Sequence, residues 1–166
     1  SYFIIFHYTT HQIYFFYSLS SIFYFFVSLF LLTRTINNSP HFKKTDPLTI
    51  FYLLLGSGIV YYSFERFSMT HTYEIFSVSV LFFISGRNKN ADSNSLNYLL
   101  GLLGILFLTI RWVNIFLILL PILYFLLIKS KKSILNLLKA KSYYLGLFTG
   151  ITIFLLHSKV LYGVYT

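Results

Sequence analysis

The chain has 166 residues, of which 57% are apolar, 22% aromatic and 10% charged, and its mean hydropathy is +0.72. Soluble domains carry about 25% charged residues, so this chain cannot clothe its surface in polar groups and a water-soluble globular domain is excluded. The formal charge is +9, and with no cysteine there is no disulfide framework, thiolate metal site, iron–sulfur ligation or cysteine nucleophile.

A helix that crosses about 30 Å of hydrocarbon needs about 20 mostly apolar residues. Six segments meet that demand, at about 12–32, 47–64, 67–86, 93–110, 112–128 and 142–162. All are apolar around their whole circumference, which argues against the alternating strands of an outer-membrane barrel. Helices also satisfy every backbone group within lipid. The expectation is an all-α integral membrane protein of about six transmembrane helices in a single membrane domain.

The connectors divide by charge. Arg34, Lys43, Lys44, Arg87, Lys89, Lys129, Lys131, Lys132, Lys139 and Lys141 fall on one side, and Arg66, Arg111 and Lys159 on the other, ten against three. Such a bias orients membrane helices. It places both termini on the positive-poor, outer side, and adding or deleting one span would destroy it. The basic residues lie between apolar runs and read as membrane anchors rather than as a nucleic-acid surface. Segment 129–141 reads as a surface amphipathic helix whose Ile134, Leu135, Leu137 and Leu138 face acyl chains.

The first 33 residues carry neither the basic region of a signal peptide nor the arginines of a transit peptide. A vocabulary of Phe, Tyr, Leu, Ile, Ser, Asn and Lys is what an AT-rich coding sequence yields. It points to a mitochondrially encoded protein, with a bacterial membrane protein of an AT-rich organism as the alternative.

Glu74 is the residue most capable of chemistry. A carboxylate within a span costs about 2.5–3.5 kcal/mol on insertion scales, and such groups commonly mark a proton or ion path. Counting from Gly86, twelve residues put Glu74 about 18 Å up the third span. The competing reading is a glutamate at a helix N-terminus, held there by the dipole and exposed to headgroups. Glu65 and Arg66 read as an anchoring turn. Lys159, near His157, is explained by snorkelling to the interface or by a proton path. His7 and His11 have i, i+4 spacing, but a two-haem cytochrome needs histidine pairs deep in two facing helices. Gly101, Gly104, Gly146 and Gly150 permit close helix packing, and Pro121 interrupts the fifth span. The phosphate-loop, GxGxxG, HExxH and nucleophile-elbow motifs are all missing.

From Tyr73 the chain reads YEIFSVSVLFFISGRNKNADSNSLNYLLGLLGILFL: a glutamate-bearing helix, a short basic loop, then Ala91-Asp92-Ser93-Asn94-Ser95-Leu96-Asn97-Tyr98-Leu99 opening the next helix. This stretch resembles the subunit 2 family of NADH dehydrogenase, the antiporter-like proton-pumping subunits in the membrane arm of respiratory complex I. The resemblance covers about 40 of the 166 residues. It departs from the family at Asn97, where a lysine is usual, and in lacking a counterpart of the central lysine helix followed by Pro-Phe-His. Family members are also about twice as long.

The resemblance implies a truncated or split proton-translocating subunit of NADH:ubiquinone oxidoreductase in the mitochondrial inner membrane. Glu74 would be its protonatable switch, with lysine partners from Lys159, Lys129 or another polypeptide. The chain would bind no redox cofactor or metal, touch other membrane-arm subunits and lipids but no nucleic acid, and exist as an obligate hetero-oligomer. The rival expectation is a structural subunit of a respiratory complex or ATP synthase in which Glu74 only anchors. Subunit a of ATP synthase ranks below both, because it needs an intramembrane arginine and Arg111 falls in a turn.

Overall fold

The computed structural model describes residues 10–39, 44–65 and 70–163. These form eight α-helices and no strand: α1 (Thr10–Asn37), α2 (Pro47–Gly56), α3 (Ile59–Phe64), α4 (His71–Arg87), α5 (Asn94–Leu106), α6 (Leu120–Ile128), α7 (Lys131–Lys139) and α8 (Lys141–Tyr162). Two 3-10 stretches, Phe107–Thr109 and Trp112–Leu119, lie between α5 and α6. The chain is therefore all-helical over the described residues. Two of its helices, Gln12–Asn37 and Lys141–Tyr162, are long and apolar enough to cross a membrane.

The other apolar segments keep α-geometry over shorter lengths, each for a local reason. Asp46 caps α2 by accepting from the Thr49 amide at 2.7 Å, ahead of Pro47 at the first helical turn. The segment then breaks at Ser57 and Gly58, where glycine adopts a left-handed φ of 78°. Phe51 and Phe64, about 20 Å apart along a straight helix, consequently both bring their rings to Phe25, at 6.1 and 5.8 Å. Segment 47–64 is thus two short helices bent at a glycine.

In the fifth apolar segment the α-helix begins only at Leu120, and the residues before it are 3-10. Pro121 lacks the N–H that would bond the Leu117 carbonyl, and its ring would crowd that carbonyl. The proline accordingly sits in the first turn of a helix instead of midway along one.

Residue pairings give the helix directions. Ser21 meets Thr72 while Thr35 lies against Gly86, so α1 and α4 run parallel with matched spacing. Glu74 meets Arg111 while Phe82 and Gly86 meet Tyr124, so α4 also runs parallel to the 111–128 segment. Gly101 lies against Tyr143 and Leu147, and Gly150 against Ile105, so α5 and α8 are parallel.

A Cβ on Gly101 would collide with the Tyr143 carbonyl, and one on Gly146 with the Tyr98 carbonyl. The two glycines therefore let these backbones touch, as small residues do in membrane helix pairs.

The interior is unusual in kind. Buried positions hold Ser21, Ser28, Ser63, Thr72, Ser77, Ser79 and Ser85, whereas Phe15, Phe16, Phe23, Phe26 and Phe30 of α1 are exposed. Most of these hydroxyls bond within their own helix, as Ser28 does to the Tyr24 carbonyl at 2.6 Å and Ser79 to that of Ile75 at 2.6 Å.

Two apolar clusters complete the core. Phe25, Ile50 and Leu54 form one, and Leu81, Leu100, Phe125, Leu137 and Tyr143 belong to the other. Helix α7 divides its apolar residues. Leu137 is buried and Ile134 packs on the second cluster, while Leu135 and Leu138 are exposed. At 100° per residue the four cover an arc of about 160°, wide enough to serve both core and surroundings. They do not all face outward.

Candidate functional site

Glu74 lies in the first turn of α4, because the helix starts at His71 rather than at the expected position 67. Positions 66–69 are outside the described residues, as is His7. Thr70 is the N-cap residue. Its carbonyl accepts from the Glu74 amide at 3.0 Å, and its hydroxyl is 3.5 Å from Glu74 Oε1. A carboxylate in the first turn also faces the positive end of the helix dipole.

Two nitrogen groups converge on this carboxylate beside the Thr70 hydroxyl. Arg111 Nη1 donates to Oε1 at 3.1 Å, and His71 Nδ1 stands 3.0 Å from Oε2. The Glu74 side chain is 23% exposed and those of Arg111 and His71 are 43% and 39% exposed, which makes this a half-open site at one end of the bundle. Arg111 reaches it from the extended residue that precedes the Trp112–Leu119 stretch. The His71 ring is held in turn by Tyr62 of α3, with ring centroids 4.6 Å apart. Partly exposed pairs of this kind contribute on the order of 0.2–1 kcal/mol.

A cluster of hydroxyls joins the same turn to neighbouring helices. Thr72 Oγ1 accepts from Ser21 at 3.2 Å and lies 3.0 Å from Ser63 Oγ, with all three residues fully buried. Ser63 donates onward to the Ile59 carbonyl at 2.8 Å. Next to it Ser20 and the Tyr73 hydroxyl are 2.8 Å apart. One turn of α4 therefore carries a carboxylate with two nitrogen partners and a buried hydroxyl chain joining α1, α3 and α4.

Among the described residues the ion pairs of Glu74 are with Arg111 and His71. Lys129 caps the end of α6, and Lys159 lies in the last turn of α8. His71 was readable three residues before Glu74, a spacing that puts both side chains on one helix face. Arg111 is 37 residues away, and the one sequence signal for it was the alternation that assigns it to the side where the glutamate helix begins.

Asn97, at the position where the resembled family has lysine, is 1% exposed and fully engaged. It accepts from Asn88 Nδ2 at 2.7 Å and donates to the Ala91 carbonyl at 2.8 Å, holding Ala91 at a φ of 58°. Its place in the fold is to pin the turn between α4 and α5. The chain matches no protein-family model, no curated protein and no solved structure.

Proposed function

We propose that this chain is a proton-translocating subunit of the membrane arm of respiratory NADH:ubiquinone oxidoreductase, of the subunit 2 type, in the mitochondrial inner membrane. It crosses the membrane six times with both termini on the intermembrane-space side. It contacts other membrane-arm subunits and lipid, and holds no redox cofactor of its own. Glu74 is the group that gains and releases the proton, with Arg111 and His71 modulating it.

The observation that carries this reading is the convergence of Arg111 and His71 on Glu74, on the same helical turn as a buried hydroxyl cluster. A carboxylate within reach of a histidine and a fixed guanidinium contains the parts of a proton-handling site. Membrane placement is supported by the buried serines and by the exposed phenylalanines along α1. A six-span topology is supported by the parallel pairs α1 with α4, α4 with segment 111–128, and α5 with α8, which are the odd and even members of an up-and-down series.

Native-gel separation of gently solubilised membranes should show the chain co-migrating with NADH-oxidising activity. In proteoliposomes of that complex, Glu74→Gln should depress proton translocation while assembly persists. Unchanged translocation defeats the switch role.

A structural reading is favoured by one observation, namely that the Arg111–Glu74 bond ties two distant segments together at the rim. Exchanging the pair, Glu74→Arg with Arg111→Glu, separates the two. A tie is restored by the exchange, and a proton switch is not.

A further inference from the structure

At the end of the bundle opposite Glu74, α1, α4 and α6 enclose two cavities that share Thr35 and Tyr124 as a common wall. The first, of about 420 Å³, is bordered by Arg87 and Lys89 together with Asn38 and Gly86. The second, of about 170 Å³, is wholly apolar where it is accessible and is lined by Leu32, Ile36, Phe82 and Ile128. A cationic chamber thus opens beside an oily one.

Charge and hydrogen bonding in the first chamber are unbalanced. Among the described residues no carboxylate pairs with Arg87 or Lys89; Arg87 instead lies over the Phe83 ring, 5.7 Å from its centroid. The acid closest in sequence, Asp92, is engaged by Asn136 Nδ2 at 3.1 Å. Tyr124 is 4% exposed and its hydroxyl, which borders the chamber, has no hydrogen-bond partner among the described residues. Gly86 keeps the neck open, since a Cβ there would crowd the Tyr124 hydroxyl at 3.2 Å. Two exposed cations at the rim with no carboxylate partner among the described residues, and a phenol open to the chamber, suit an anion, and the adjoining apolar chamber suits a hydrocarbon chain.

We infer that this pair of cavities is a binding site for an anionic phospholipid. Its phosphate is held by Arg87, Lys89 and the Tyr124 hydroxyl, and one acyl chain lies against Leu32, Ile36, Phe82 and Ile128. Basic pockets between membrane helices on the positive side suit such headgroups. The site rests on the membrane placement proposed above, but not on the complex I assignment.

The test is native mass spectrometry of the full chain released from bilayers of equal phosphatidylglycerol and phosphatidylcholine, after carbonate-resistant insertion has been recorded. Retained phosphatidylglycerol should exceed phosphatidylcholine, and Arg87→Gln or Lys89→Gln should each reduce that preference about fivefold. Lys131→Gln, which removes an exposed cation elsewhere on the basic side, should leave it unchanged. Gly86→Leu should weaken retention with no change of charge.

Equal retention of both lipids overturns the site, and so does an equal effect of Lys131→Gln, which would reduce it to general surface attraction. Full displacement by millimolar inorganic phosphate overturns the lipid in favour of a free anion. Failure to insert overturns the membrane placement and the site with it, whereas insertion without preference overturns the site alone.

Discussion

Arg111 bonds Glu74 across 37 residues of chain, from a turn onto the first turn of a helix, with 3.1 Å between guanidinium nitrogen and carboxylate oxygen. The contact fixes segment 111–128 to the start of α4 and leaves the carboxylate open to solvent on one side. If Glu74 carries protons, Arg111→Gln should change the rate of proton translocation and shift its pH profile while assembly stays intact. If the bond is only a tie, Arg111→Gln and Glu74→Gln should lower assembled yield alike and leave the pH profile of the assembled fraction unmoved. Proton uptake in proteoliposomes, normalised to assembled complex, distinguishes the two.

The contact of α5 with α8 leaves no room for a side chain at Gly101, Gly146 or Gly150, and at the first two the obstacle is backbone carbonyl. Gly101→Ala and Gly146→Ala each drive a methyl into a backbone carbonyl, and overpacking of this kind costs about 1–3 kcal/mol. Gly104→Ala is the internal control, because a Cβ there meets Ile118 at an ordinary 3.6 Å and should be tolerated. Denaturation in mixed micelles should rank the three accordingly.

Thr72 supplies the acceptor that Ser21 uses within a fully buried cluster. Thr72→Val removes that oxygen while keeping the volume and should cost about 1 kcal/mol by stranding a buried hydroxyl. Thr72→Ser keeps the oxygen and should fall well short of that loss. The same denaturation assay reads both.

Asn97 donates and accepts at the turn between α4 and α5. Asn97→Asp retains the acceptor for Asn88 but sets a carboxylate oxygen against the Ala91 carbonyl, whereas Asn97→Leu removes both bonds. Leaving such buried partners unsatisfied costs about 1–3 kcal/mol each. Both variants should speed hydrogen exchange at residues 88–93 before any other segment.

The helical class was legible from apolar runs and connector charge, and Glu74 stood out because a lone acid amid such residues is costly. Where each helix begins was harder to read. Threonine is neutral enough that Thr70 passes for helix by hydropathy, so the start of α4 at His71 and the placement of Glu74 in its first turn escaped a count of apolar residues. The break at Ser57–Gly58 was hidden in the same way, because averaging over a span dilutes a single glycine. Pro121 was visible as an interruption, yet whether it bends a helix or begins one depends on the residues ahead of it, which adopt 3-10 geometry. Arg111 as the partner of Glu74 lay beyond any local pattern, since it arises from two parallel segments brought side by side.

The glycine contact of α5 and α8 also has a bearing on how the chain is made. Gly101 and Gly146 are separated by α6, α7 and the 3-10 stretches, so a ribosome has released α5 well before its partner exists. Until then α5 presents a bare backbone groove to whatever lies beside it. The arrival of α8 closes that groove, which makes the contact a late event of biogenesis. If the chain is inserted as proposed, a nascent chain stalled before residue 141 should leave α5 open to crosslinking by the insertion machinery, and one stalled well beyond residue 162 should not.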